Sequence, residues 1–147
     1  DGDGVGSLVG LGRALRPMGL DPILACVDPI PSKFGYLPSI ETVVREISAP
    51  FDLIISLDCS DLERLGRFTQ MQAFESAPLL NIDHHVTNLH FGDVNLVNAS
   101  ASSTAEVVLE LLEYMAIPID KVMAGRSWSL KYTFRFLTSF LRCSARL

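Results

Sequence analysis

Two short apolar segments that each end in an aspartate constrain the fold of this chain more than any other feature. Residues 51–57 (FDLIISL) run into Asp58, and a second segment, PLLNI, runs into Asp83. Nearly continuous apolar runs of this length are typical of strands buried on both faces of a parallel sheet. Residues 94–97 (VNLV) are a candidate for another strand, and residues 22–27 are short, apolar and strand-like.

Helical patterns lie between these segments. Residues 6–18 carry leucine and methionine at helical spacing, and Gly19 follows them as a suitable residue to end a helix. Residues 39–47 are a predicted helix with Ser39 as its N-cap. Residues 28–38 are rich in proline, which predicts a loop.

The clearest helical pattern covers residues 102–116. Ser103 and Glu106 fit the S-x-x-E capping box, and the apolar residues that follow form one stripe. Residues 61–67 predict a helical turn after the first buried strand. Strands alternating with helices predict an α/β domain with a doubly wound, mostly parallel sheet, helices on both faces and right-handed connections.

Composition limits the class of protein. A chain of 147 residues that is 48% hydrophobic is one domain or part of one, with enough apolar surface for a core. A net charge of −5 argues against a general nucleic-acid-binding surface, although bound cations can reverse the field locally. Three widely spaced cysteines support neither a disulfide framework nor a structural zinc site. No apolar run predicts a membrane span or a secretory signal, so we expect a cytoplasmic location without membrane partners.

Acidic and imidazole side chains follow the two buried strands, and Asp1 and Asp3 stand just before the first predicted helix, where a preceding strand would deliver them. In open α/β sheets, ligands bind at the carboxyl edge, where these residues would meet. The convergent set comprises Asp1, Asp3, Asp58, Asp83, His84 and His85. Unpaired carboxylates in one place repel each other, and a mixed set of oxygen and imidazole ligands suits Mn²⁺ or Mg²⁺ better than zinc.

Each of these residues also has a plain structural interpretation when it is taken alone. Asp1 and Asp3 could be turn residues in a glycine-rich loop, Asp58 could cap a helix, and His85 could be a hydrogen-bonded structural histidine. We interpret two further residues as structural, namely Asp61 as a helix cap and His90 as structural or solvent-exposed. The glycine spacing fits neither an EF-hand loop nor a dinucleotide-binding fingerprint.

Four ordered blocks carry a family resemblance. DGDGVGS, DLIISLDCSDLERLG, NIDHHVTN and NASASSTAEVVLELLE together closely resemble the DHH family of phosphoesterases. Within this family, the chain is most similar to the branch of small oligoribonucleases that also dephosphorylate 3′-phosphoadenosine 5′-phosphate. The resemblance covers residues 1–123, which we take as a partial DHH domain. Residues 124–147 form an atypical basic and aromatic tail.

The resemblance implies a site for two manganese ions, with Mg²⁺ as an alternative. Carried over residue by residue, it implies metal ligands at Asp1, Asp3, Asp58 and His84, with Asp58 bridging both ions. His85 corresponds to the histidine that faces the scissile phosphate, and Asp83 to the acid that orients the histidine pair. Ser7 and the turn at residues 100–104 receive no firm role, and helix capping is the favoured interpretation of that turn.

Three departures from the family pattern qualify this expectation. The family's first block is H-x-x-P-D-x-D, so its histidine would lie upstream of Asp1. A fourth block, T-G-I-x-T-D-T, is replaced by a tail without acidic residues, and the second, substrate-holding domain is not in the sequence. We expect the tail to be out-of-frame translation or a gene-fragment artefact, with a divergent basic tail as the alternative.

The expected function is therefore manganese-dependent hydrolysis of short oligoribonucleotides or nucleoside 3′,5′-bisphosphates, with little activity from this fragment alone. A single-strand-specific exonuclease of the RecJ type and a manganese inorganic pyrophosphatase share the motifs and remain alternatives. A non-catalytic remnant that binds phosphate or nucleotides is an alternative of another class. A homodimer is a further possibility that the sequence leaves open.

Overall fold

The computed structural model describes residues 1–48 and 50–119, and it has three helices and three strands in that part of the chain. In chain order these are α1 (Gly2–Leu15), β1 (Ile54–Leu57), α2 (Gln72–Ser76), β2 (Leu79–Asp83), β3 (Val94–Val97) and α3 (Thr104–Tyr114). Short 3₁₀ segments occupy Arg16–Met18, Ser32–Phe34, Ile40–Thr42 and Leu62–Gln70. The predicted tail at residues 124–147 lies outside the described residues.

The three strands form a parallel sheet in the order β1-β2-β3. Because β2 is central, it is the most buried strand, and Ile82 within it has no exposed surface. Parallel neighbours require crossover connections, and residues 62–76 supply one between β1 and β2. The α/β class with a parallel sheet is thereby confirmed.

The core lies where α1 and α3 pack together against one side of the sheet. Leu11 and Ala14 of α1 meet Val108 and Leu112 of α3, and all four are buried together with Ile82. The apolar stripe of α3 is the reason for this packing, since residues three and four apart on a helix share one face. The helix–helix contact fixes the N-termini of α1 and α3 relative to the strands.

Helix α1 begins four residues earlier than the apolar pattern predicted. Asp1 caps it, since its carboxylate accepts hydrogen bonds from the N–H groups of Asp3 (2.9 Å) and Gly4 (3.2 Å). Asp3 therefore lies inside the first helical turn instead of before it. The capping signal came before the first apolar residue, which is why periodicity alone placed the start too late. Gly19 ends the segment in the left-handed conformation, as expected (φ 81°).

The structure corrects two predictions between α1 and β1. Residues 22–27 do not form a strand, since their only described pairing is an isolated parallel bridge between Ala25 and Val44. The predicted helix at residues 39–47 is a single 3₁₀ turn at Ile40–Thr42. Ser39 precedes that turn in the left-handed conformation (φ 69°) and makes no capping hydrogen bond with its side chain. The backbone at Val44 is instead hydrogen-bonded to residues 24 and 26, which excludes a continuing helix.

Strand β1 is also less buried than predicted. Its residues are half-buried apart from Ser56, and Leu53 just before it is 48% exposed. The physical reason is the strand order, because β1 is an edge strand of the described sheet. The apolar run of β1 therefore forms a strand that is not buried on both faces.

Most of the remaining elements follow the sequence, although helix α2 (Gln72–Ser76) was not predicted. Strands β2 and β3 coincide with the predicted segments, and Asp61 caps the following 3₁₀ segment by accepting the N–H of Arg64. Ser103 caps α3 by accepting the N–H of Glu106 at 3.1 Å. The carboxylate of Glu106 accepts both the N–H and the hydroxyl of Ser102, one residue before the cap.

A cleft of about 390 Å³ separates β1 from the segment that follows α1. Its walls are mainly apolar and include Leu8 of α1, Ile23 and Ile55. One end of the cleft reaches Asp1 and Asp58. Across the residues that the structure describes, the helices are too short or too polar to cross a membrane.

Candidate metal centre

The polar side chains that follow the strands meet at the carboxyl edge of the sheet. Asp58 comes directly after β1, Asp83 ends β2, and His84 and His85 follow it. The N-termini of α1 and α3 reach the same edge, which brings Asp3 into this group. Five of the six predicted site residues are therefore linked by contacts shorter than 4 Å.

Asp58 lies at the centre of the group. Its Oδ1 accepts a hydrogen bond from the Thr104 hydroxyl at 2.8 Å and lies 3.7 Å from His85 Nδ1 and 3.9 Å from His84 Nε2. Burial and the neighbouring Asp3 carboxylate raise the pKa of Asp58 above its ordinary value. The backbone of Asp58 has φ 60°, a strained conformation for a residue with a side chain, and such strain is concentrated at functional sites.

Asp3 lies at the N-terminus of α3, although it belongs to α1. Its two carboxylate oxygens accept the N–H groups of Thr104 (2.7 Å) and Ala105 (3.0 Å), and Oδ2 lies 3.5 Å from His84 Nε2. The first N–H groups of a helix have no partner within the helix, and its positive dipole end favours an anion. Asp3 supplies that anion. A phosphate is consequently not needed to satisfy these two donors.

Asp83 is fully buried and surrounded by donors. It accepts hydrogen bonds from the backbone N–H of His84 (2.8 Å), His85 Nδ1 (2.7 Å) and the Asn88 amide (2.5 Å). Burial by itself would raise the pKa of Asp83, but these hydrogen bonds, led by that from Asn88, hold the pKa below its ordinary value. Asp83 is therefore an ionised acceptor, with its oxygens committed to protein donors.

The two histidines are oriented by their Nδ1 atoms. His84 Nδ1 lies 3.3 Å from the carbonyl oxygen of Ala101, and His85 Nδ1 lies 2.7 Å from Asp83. An acceptor at Nδ1 assigns the proton of a neutral imidazole to that nitrogen and leaves the Nε2 lone pair free. Nε2 of His84 is directed at Asp3 and Asp58, which is the orientation of a metal ligand.

Asp1 differs from the other predicted ligands. It is exposed, and its carboxylate caps α1. Asp1 and Asp58 both line the cleft, so the two residues face the same space. Among the residues described, Asp58, His84 and His85 form a group in which one ligand atom from each lies within 4.8 Å of the others.

The chemistry of the donors fits a hard or borderline divalent cation. Carboxylate oxygens and imidazole nitrogens are the available ligands, a combination that suits Mn²⁺. The neighbouring thiol of Cys59 does not add to this set, because burial raises its pKa and keeps it protonated, and its Sγ donates to the carbonyl of Leu57. A cation at this edge would also reduce the repulsion between Asp3 and Asp58.

Two residues of the site were not identified from the sequence. Asn88 donates to Asp83 and to the carbonyl of Cys59, and its Oδ1 accepts from the amide of Asn81. Thr104 contacts both Asp3 and Asp58. The only signals were their places within the NIDHHVTN and SASST blocks, which do not show what a side chain contacts. His90 is exposed, in agreement with the prediction that it is structural or solvent-exposed.

Comparisons with known proteins give two curated relatives of this chain. The chain is 31% identical over 119 residues to a bifunctional oligoribonuclease and PAP phosphatase NrnA from Thermus thermophilus, covering 80% of this chain and 35% of the relative. It is 35% identical over 113 residues to the protein of the same name from Bacillus subtilis, covering 76% of this chain and 34% of the relative. The chain thus spans about a third of the length of these curated relatives.

A solved structure has a similar fold. An exopolyphosphatase-related protein from Bacteroides fragilis superimposes with a TM-score of 0.76 at 20% sequence identity, covering 95% of this chain and 49% of that one. The model of the DHH family, N-terminal domain, matches residues 1–128. With this match over most of its length, the chain belongs to the DHH family.

Proposed function

We propose that this chain is part of a manganese-dependent phosphoesterase that hydrolyses short oligoribonucleotides and nucleoside 3′,5′-bisphosphates. The observation that carries the proposal is the convergence of Asp3, Asp58, His84 and His85 at one sheet edge, with Asp83 behind them. The substrate class follows from the two NrnA relatives, whose names state oligoribonuclease and PAP phosphatase activities. Because the chain spans about a third of those relatives, we expect slow or no turnover from its 147 residues alone.

In this proposal, Asp3, Asp58 and His84 hold the metal, and Asp1 joins them from the mouth of the cleft. Bound divalent ions would neutralise phosphate charge and lower the pKa of water, the chemistry that phosphate-ester hydrolysis needs. The chain's own contribution is to fix these ligands before substrate arrives. The short contacts to Thr104 and Ala105 support this role for the carboxylates.

His85 is the proposed catalytic residue. Its Nδ1 is bound to the ionised Asp83, so its Nε2 is available to a substrate phosphate. In this role, His85 would stabilise the negative charge that develops on phosphorus oxygens. Asp83 itself is fully buried and has no free surface for substrate, so its proposed role is to orient His85.

Calorimetric titration of the chain with Mn²⁺ tests the proposal, with Asp58→Asn compared against Asp61→Asn. Each variant removes one carboxylate, and the two positions are close in the sequence. Asp61, however, is bound to Arg64 outside the site. We expect Asp58→Asn to weaken Mn²⁺ binding by at least roughly 10-fold to 100-fold, the usual cost of losing a supporting or direct ligand. Asp61→Asn should bind like the unmodified chain.

Two results would overturn the proposal. One is the absence of saturable Mn²⁺ binding by the folded chain. The other is an equal loss of binding in the two variants, which would mean that general negative charge and not a built site attracts the ion. Hydrolysis of a ribodinucleotide, abolished by His85→Ala with Mn²⁺ affinity retained, would extend the proposal to catalysis.

A further inference from the structure

Thr104 connects elements that are far apart in the sequence. It is the first residue of α3 and has no exposed surface. Its N–H donates to Asp3, which lies 101 residues earlier, and its hydroxyl donates to Asp58, which lies 46 residues earlier. Asp83 is the third carboxylate nearby, with its Oδ1 3.4 Å from the same hydroxyl.

A hydroxyl carries one proton, so it donates fully to one acceptor at a time. The distance to Asp58 is 2.8 Å and the distance to Asp83 is 3.4 Å, which assigns the proton to Asp58. Asp83 is already supplied with donors by His84, His85 and Asn88. Oδ1 of Asp58 has no such backbone donors among the described contacts, so the Thr104 hydroxyl is its main support.

We propose that Thr104 is a positioning residue that keeps the carboxylates of Asp3 and Asp58 at a fixed distance from each other before a divalent cation binds. This inference rests on the proposed function, because it concerns the same metal ligands. Two like charges close together in a buried site repel each other, and donors fixed on a rigid helix offset that repulsion. Ala105 assists with its N–H, but among the described residues only Thr104 donates hydrogen bonds to both carboxylates.

The competing explanation is that Thr104 only stabilises α3. A variant at Ser103 distinguishes the two explanations. Ser103 is the N-cap of α3, and its hydroxyl accepts the N–H of Glu106 without a described contact to Asp3 or Asp58. Ser103→Ala should therefore destabilise the helix and leave the carboxylates in place. Thr104→Val should remove the hydroxyl at nearly constant shape and keep the backbone N–H that holds Asp3.

The experiment measures Mn²⁺ affinity by calorimetry and the unfolding midpoint in urea for the unmodified chain and three variants. We expect Thr104→Val to weaken Mn²⁺ binding by roughly 10-fold to 100-fold, as is usual when a group that orients a ligand is lost. Thr104→Ser restores a hydroxyl and should bind within a few-fold of the unmodified chain. Ser103→Ala should lower the unfolding midpoint and leave Mn²⁺ affinity unchanged.

The outcomes distinguish this inference from the proposed function. If the unmodified chain binds Mn²⁺ and Thr104→Val binds equally well, Thr104 has no positioning role and the proposed metal site stands. If Thr104→Val and Ser103→Ala lose affinity in proportion to their loss of stability, the role of Thr104 is structural and the inference is wrong. If the folded, unmodified chain does not bind Mn²⁺, the proposed function and this inference fail together.

Discussion

The two sides of β1 are built very differently. On the side of β2 and α3, side chains such as Ile82, Leu112 and Asp83 are at most 1% exposed, and parallel strands hold the backbone. On the other side, the segment from residue 19 to residue 53 has two buried hydrophobic residues in its described part, Leu24 and Phe34. It is connected by one isolated bridge and short 3₁₀ turns, and it borders the cleft.

This difference shows which elements of the fold restrain the positions of the proposed ligands. Four of the proposed site residues lie at or just after the ends of β1 and β2, and Asp3 is fixed by the N-terminus of α3. Asp1, which faces the cleft, is the exposed member of the set. Ligands must be held within a fraction of an ångström, and closely packed elements provide such restraint.

Hydrogen exchange should show the largest contrast between the two sides. Amides of β2 and of the central part of α3 should open only with global unfolding, at a cost on the order of 5 kcal/mol or more. Amides of residues 28–48 should exchange through local opening at far lower cost, because little apolar surface is buried there. Peptide-level mass spectrometry measures both, and equal protection would show that the two sides unfold as one unit.

Truncation of isoleucine should show a smaller contrast of the same kind. Ile82→Ala removes a fully buried side chain from the centre of the core and should lower the free energy of unfolding by about 2–5 kcal/mol. Ile23→Ala, at a position that is 50% exposed in the cleft wall, should change it by less than about 0.5 kcal/mol. Urea unfolding measures both values. A loss at Ile23 as large as at Ile82 would mean that the cleft is closed in solution.

Two glycines of α1 offer the smallest and most local test. A Cβ added to Gly4 would lie 3.2 Å from Asp58 Oδ2, whereas a Cβ added to Gly10 has nothing within 4 Å. Gly10→Ala should raise the free energy of unfolding by about 0.5–1 kcal/mol, because alanine loses less backbone entropy in a helix. Gly4→Ala should gain less stability and should weaken Mn²⁺ binding, because Asp58 must move. Unchanged Mn²⁺ affinity in Gly4→Ala would contradict the close approach of α1 to the proposed ligand.

Patterns that depend on neighbouring residues predicted much of the fold. The apolar runs placed β2 and β3, and the Ser103 cap placed the start of α3, because these signals are local in the chain. The same approach was wrong for residues 39–47. There, the backbone of Val44 pairs with that of Ala25, about twenty residues away, and local patterns do not reveal such a contact.

The sequence by itself determined the α/β class, the places of β1, β2 and β3 along the chain and the identity of the acidic and imidazole residues at the ends of β1 and β2. It did so because hydrophobic periodicity and capping depend on residues close together in the chain. Only the tertiary structure decided that Asp3 binds the N-terminus of α3, that Thr104 supports Asp58 and that Asn88 supports Asp83. These contacts join residues up to 101 positions apart, and they form only when the packing of α1, α3 and the sheet brings their ends to one edge.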